Sequence, residues 1–166
     1  MIADGAFIEH AQFSSNFYGT SFMAIQDVSD SGRRCILDIE SEVSRPSLDS
    51  SNTAEPGSIK GVRQIKSTKL DPLYVFISPP SLASLKSRLK GRGTETDESV
   101  AKRLAAALKE VAYAKQPGVH DLVIVNDDID RAYDLLEKIA LGEDENVTAD
   151  TLPPLDDDVN GTDLQR

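Results

Sequence analysis

The sequence predicts an α/β fold built on a parallel sheet, and three observations carry that expectation. Short apolar runs, CILDI (35–39), LYVFI (73–77) and LVIV (122–125), have the length and continuity of strands covered on both faces. Stretches with apolar residues at helical spacing alternate with them, and that alternation favours parallel pairing. Polar groups gather at the ends of the runs, Asp38 and Glu40 after the first and Asn126 after the third. Parallel sheets bind ligands just beyond the carboxyl ends of their strands, so these positions suit a nucleotide site.

Taken in order, residues 7–13 (FIEHAQF) read as a strand with Phe7, Glu9, Ala11 and Phe13 on one face. Residues 14–20 (SSNFYGT) read as a turn cluster. From Ser21 to about Asp30, Phe22, Ile25 and Val28 space a short helix that Gly32 ends. Residues 41–60 break the pattern: rich in Ser, with Pro46, Pro56 and Gly57, they keep neither helical nor strand period, and read as an inserted, disordered loop. Such a loop costs little to close, about 0.6 kcal/mol per doubling of length.

LYVFI stops at Pro79-Pro80, and Ser81 caps a helix carrying Leu82, Leu85 and Leu89. A glycine-rich turn, GRGTETDES (91–99), leads to a helix from about Asp97 to Lys115 with Val100, Leu104, Leu108 and Val111 on one stripe. After LVIV comes a last helix, with Ile129, Ala132, Leu136 and Ile139 as its buried side. Beyond Gly142 the chain carries eight acidic residues and two adjacent prolines, the composition of a disordered acidic tail (142–166).

The 166 residues suit one domain with a real core. A net charge of −10 disfavours nucleic acid and anionic membranes as partners. No apolar stretch approaches the roughly 20 residues of a membrane span, and MIADGAFIEH lacks the cationic start and apolar run of a signal peptide. A cytoplasmic protein is expected, and Cys35, alone in an apolar run, reads as a buried, inert thiol. His10 and His120 have no partners at ligand spacing and read as structural.

Chemistry centres on the glycine-rich turn. Arg92 lies between Gly91 and Gly93, Arg103 on the following helix and Arg88 near the end of the preceding one. Guanidinium forks grip phosphate oxygens in pairs and disperse charge in phosphoryl transfer. On spacing alone, solvated helix faces pairing with nearby acids account for Arg88 and Arg103 more readily. Asp38 and Glu40, one residue apart on a strand, share a face and can hold magnesium through water; one of them can equally be a cap or a surface acid. Glu9 among aromatics needs a partner or a hydrogen-bond-donating ligand. Guanine offers two adjacent donors. Tyr18 and Thr20 flank Gly19 and can reach a ligand phosphate, though hydroxyls in turns commonly satisfy local backbone. No GxxxxGK[ST] sequence, the cradle for a nucleoside triphosphate, occurs in these residues.

Together the runs FIEHAQFSSNFYGTS, CILDIE, GVRQIK, ISPPS, LKGRGTETDESVAKRL and HDLVIVNDD, in this order, strongly resemble guanylate kinase, particularly the fungal enzymes. The likeness covers residues 1–40 and 61–141. It implies a P-loop NTPase-like parallel-sheet core without its first strand and P-loop, a helical lid and part of the GMP-binding subdomain. By resemblance the function is phosphoryl transfer from ATP to GMP in purine nucleotide metabolism, with Mg2+, by a monomer.

Residue by residue, Glu9 resembles the guanine-reading acid, Tyr18 a contact of the GMP phosphate, and Thr20 a hydroxyl near the base. Asp38 and Glu40 resemble the acidic pair by GMP and magnesium, Glu40 standing where Asp is usual. Arg92 and Arg103 resemble the lid arginines that hold the transferring phosphates, Arg92 also on the ATP side, and Asn126 a residue near the adenine. The family's P-loop and its two-arginine, one-tyrosine GMP-phosphate segment would precede Met1. The 166 residues alone are therefore expected to bind GMP weakly and transfer phosphate negligibly. A non-catalytic guanylate-kinase-like binding module is the alternative.

Overall fold

Backbone pairing and side-chain caps account for the first elements of the chain. The computed structural model describes residues 6–13, 16–39 and 56–155. Strands β1 (Phe7–Phe13) and β2 (Asn16–Ser21) form an antiparallel hairpin with Phe13 opposite Asn16 and Glu9 opposite Thr20. Ser21 then opens α1 (Phe22–Asp30), its hydroxyl accepting from Ala24 N at 3.1 Å. Gly32, at φ 70°, takes the left-handed turn that ends the helix. Helix α2 (Gly57–Lys66) packs against β1 and buries Ile59, Gly61 and Ile65. Gly61 is tightly approached: a Cβ there would lie 2.8 Å from Ile39 Cγ2.

A second unit, Leu73–Arg166, is organised around a parallel pair. Strand β3 (Val75–Ser78) is followed by α3 (Leu82–Gly91), α4 (Asp97–Ala114), β4 (Leu122–Val125) and α5 (Ile129–Leu141). β3 and β4 run parallel with Val75 beside Leu122 and Ser78 beside Val125. Each helix starts on a side-chain cap: Ser81 accepts from Ser84 N, Thr96 from Ser99 N, and Asp128 from Arg131 N. Each such cap contributes about 0.5–2 kcal/mol. Two apolar clusters hold the unit. Ile124, fully buried, packs with Ala132 and Ile139 of α5 beside Val75 and Leu122. Phe76, from the other face of β3, packs with Leu82, Val111 and Leu155. The pair is thus covered on both sides, as its continuous apolar runs require.

The structure corrects several expectations. Residues 16–20 belong to β2, because β1 supplies the ladder that a turn reading leaves out. CILDI (35–39) forms no strand among the described residues: Cys35, Leu37 and Ile39 are half-buried while Ile36 and Asp38 are exposed, the alternation of a segment covered on one side. Cys35 is accordingly not fully buried. Residues 57–60, assigned to the inserted loop, are the first turn of α2; residues 40–55 lie outside the described residues.

On α5 the buried stripe is Ala132, Leu135 and Ile139, with Ile129 68% exposed and Leu136 at the surface, since Ile124 and Val147 meet that side of the helix. Residues 142–155, expected to be a disordered tail, are packed. After Gly142 (φ 87°) and a short 3₁₀ turn (Asp144–Asn146), Asp150 N donates to Val123 O at 2.9 Å along the outer edge of β4. Leu155 closes the path, 1% exposed. Residues 156–166 lie outside the described residues. His120 is structural as expected, stacked on Phe76 with ring centroids 4.9 Å apart.

Candidate functional site

The α3–α4 turn and the helix that follows it carry the arginines Arg92 and Arg103 that the sequence singles out. Arg92 ends α3 in helical conformation, exposed, and Gly93 at φ 69° reverses the chain, its N–H donating to Lys90 O at 3.1 Å. Glycine fits there because a side chain resists a positive φ. Across the turn Lys90 Nζ meets Asp97 Oδ1 at 3.1 Å, a solvated pair worth little by itself. The Thr96 cap and the acids Asp97 and Glu98 in the first turn suit the helix dipole of α4. Lys102, one turn on, pairs with Glu98 and holds its carboxyl below the usual value.

Arg103 lies two turns into α4 and is not a freely solvated group. Its Nε is 3.1 Å from Glu95 Oε1. The atom is buried and its N–H is not aimed at the oxygen, so this is a charge contact without a formed hydrogen bond. Glu95, just before the Thr96 cap, also accepts from Ser99 Oγ through its other oxygen. Glu95, Ser99 and Arg103 lie at four-residue intervals, and Ser99 and Arg103 each contact one oxygen of Glu95. The sequence reading missed Glu95, although the spacing was there to find.

In the Met1–Pro72 unit, the hairpin register sets Glu9 opposite Thr20 and Tyr18 opposite Ala11. Tyr18 and Thr20 thus belong to a paired strand instead of a turn, with the Glu9 and Tyr18 pairs two registers apart. Asp38 is exposed, in the segment without regular structure, so the strand that was to align it with Glu40 is absent; Glu40 lies outside the described residues. Among the described residues no group of three or more His, Cys, Asp or Glu side chains forms a metal site.

Asn126 directly follows β4, where the sequence puts it, half-buried, with its N–H donating to Ser78 O at 2.8 Å. Next to it stands a cluster that sequence reasoning did not foresee. Arg131 Nη2 donates to Val125 O at 2.6 Å and to Asp150 Oδ2 at 2.9 Å, Nη1 to Asp150 Oδ1, and Nε to Asp127 Oδ1. Asp150 Oδ2 also accepts from Val125 N at 2.7 Å. The Arg131 hydrogen bonds and the Val125 amide hold the Asp150 carboxyl below its usual value. The Asp128 amide and Arg131 do the same for Asp127, and Arg131 itself is pushed up. This cluster fastens residue 150 to the end of β4.

Residues 1–50 and 57–142 fit the model of the guanylate kinase family. The chain belongs to the guanylate kinase family. Within residues 1–142 the match omits residues 51–56, a narrower gap than the 41–60 insertion expected from composition; it stops at residue 142.

Over 143 residues the chain is 46% identical to the guanylate kinase of Sus scrofa and equally to that of Homo sapiens, in each case covering 86% of this chain and 63% of the relative. To the guanylate kinase of Schizosaccharomyces pombe it is 40% identical over 143 residues, covering 86% of this chain and 62% of the relative. The chain thus spans less than two thirds of the length of these curated relatives. No helix among the described residues is long and apolar enough to cross a membrane.

Proposed function

We propose that this chain carries the GMP-recognising and lid portions of a guanylate kinase, whose reaction is ATP + GMP to ADP + GDP. The observation that carries the reading is the α3–α4 turn of a chain in this family, with Arg92 exposed between two glycines and Arg103 turned edge-on to Glu95. Both guanidinium groups would bind phosphate oxygens and disperse the charge that develops on them during transfer. Glu9 would accept the two adjacent guanine donors, with Tyr18 toward the GMP phosphate and Thr20 near the base. The hairpin register, which brings Glu9 opposite Thr20 and Tyr18 two registers away, supports grouping these three. Asn126 would lie by the adenine of ATP.

Charge neutralisation of the phosphates is the chemistry that Mg2+ would supply when bound. Asp38, exposed and with Glu40 two residues on, fits a hold through water, since magnesium keeps most of its water shell and needs few protein carboxylates.

The 166 residues contain no GxxxxGK[ST] sequence. Backbone amides and a lysine of that kind supply the main stabilisation of the triphosphate, and two lid arginines do not replace it. The polypeptide of this sequence therefore binds GMP weakly and transfers phosphate negligibly. A coupled assay of GMP-dependent ADP formation tests this: rates far below the about 1–100 per second of ordinary kinases are expected. Turnover in that range would overturn it.

A further inference from the structure

We propose that Glu95 is a positioning residue for Arg103, holding the Nε edge of the guanidinium inward so that the Nη pair is the edge offered to phosphate. The inference rests on the reading that Arg103 grips phosphate. It begins from an asymmetry within one side chain: Arg103 is 36% exposed as a whole, yet its Nε is buried and has no hydrogen bond. A solvated helix-face arginine would keep Nε in water. What faces Nε is Glu95 Oε1 at 3.1 Å, on a carboxylate side chain only 12% exposed.

Glu95 is itself fixed. Its second oxygen takes the Ser99 hydroxyl, and its backbone adjoins Thr96, whose side chain caps α4 through Ser99 N. A carboxylate this close weakens the pull of Arg103 on an anion, so its presence is useful only if orientation outweighs charge. Arginine has a long side chain with much rotamer freedom to lose, and a guanidinium held beforehand loses less of it on binding. The Nε lies 3.1 Å from Glu95 Oε1 without a formed hydrogen bond, as in sites whose bonds tighten only when the ligand docks.

The test is side-chain NMR of the whole chain with 15N-labelled arginine, titrated with inorganic pyrophosphate and with Arg103 assigned by its loss in Arg103→Lys. In the native chain pyrophosphate should shift the Arg103 Nη signals saturably and leave Nε–H little changed. Glu95→Gln keeps the shape and an acceptor for Ser99; it should weaken pyrophosphate binding about two- to tenfold and let both edges shift. Glu95→Ala should weaken it at least as much. Affinity equal to or tighter than native in both variants, with unfolding midpoints showing them folded, would overturn the proposal. If native Arg103 does not respond to pyrophosphate at all, the phosphate-gripping reading fails and this inference with it. That outcome is told apart because the Glu95 contact still alters the Arg103 Nε–H signal without any ligand.

Discussion

Replacing Leu155 with alanine should destabilise the Leu73–Arg166 unit heavily, although composition marks residue 155 as part of an acidic tail. Its side chain is 1% exposed and packs with Leu82 of α3 and Val111 of α4, flanked by Phe76, Leu104, Leu108 and Leu152. Truncating a buried leucine removes its transfer free energy and leaves a cavity, together about 2–5 kcal/mol. Even the lower figure is worth roughly 8–16 °C in the midpoint of a unit of 60–100 residues. Urea unfolding followed by far-ultraviolet circular dichroism, with Leu141→Ala as an exposed control, measures it. Leu141→Ala should stay within about 0.5 kcal/mol of native. A Leu155→Ala loss no larger than the control's would refute the claim that residues 142–155 are part of the fold.

Three further outcomes are expected. Gly61→Ala should cost about 1–3 kcal/mol, because the new Cβ meets the branched Ile39 Cγ2 at 2.8 Å; unchanged unfolding would mean that Ile39 moves aside freely. Thr96→Ala should cost about 0.5–2 kcal/mol and speed amide exchange at Ser99, whose N–H the threonine accepts; unaltered exchange would contradict the cap. The third concerns acid. Asp150 is held below its usual value in the folded state, so its contribution to stability is complete above the ordinary aspartate value of about 3.9 and is lost as pH falls through the lower folded value. The slope of unfolding free energy with pH in that acid range should therefore shrink in Asp150→Asn, and an unchanged slope would count against the Arg131 clamp.

What the sequence disclosed was mostly local. Ser21, Ser81 and Gly32 mark helix ends through bonds and backbone angles that span at most four residues, and each stands where the pattern puts it. The parallel run of β3 and β4 was legible because continuous apolar stretches demand cover on both faces. The second strand of the hairpin was not, since Asn16–Ser21 owes its conformation to pairing with β1. Nor was the packing of residues 142–155: Leu155 finds Leu82 and Val111, and Asp150 finds Arg131, across separations no periodicity encodes. Around the α3–α4 turn, the placement of Arg92 after α3 and of Arg103 on α4 was legible from the flanking glycines and the helical pattern. Glu95 was overlooked because its meaning lies in the four-residue steps to Ser99 and Arg103.

Calorimetric titration of the chain with GMP and with AMP probes the central claim most directly. AMP shares the phosphate and ribose but offers no pair of adjacent donors to an acid such as Glu9. The account predicts saturable, weak binding of GMP, clearly tighter than that of AMP, and a GMP-dependent rise in unfolding temperature, as any ligand of the native state alone produces. Equal affinity for the two nucleotides, or no heat from either at millimolar concentration, would contradict it.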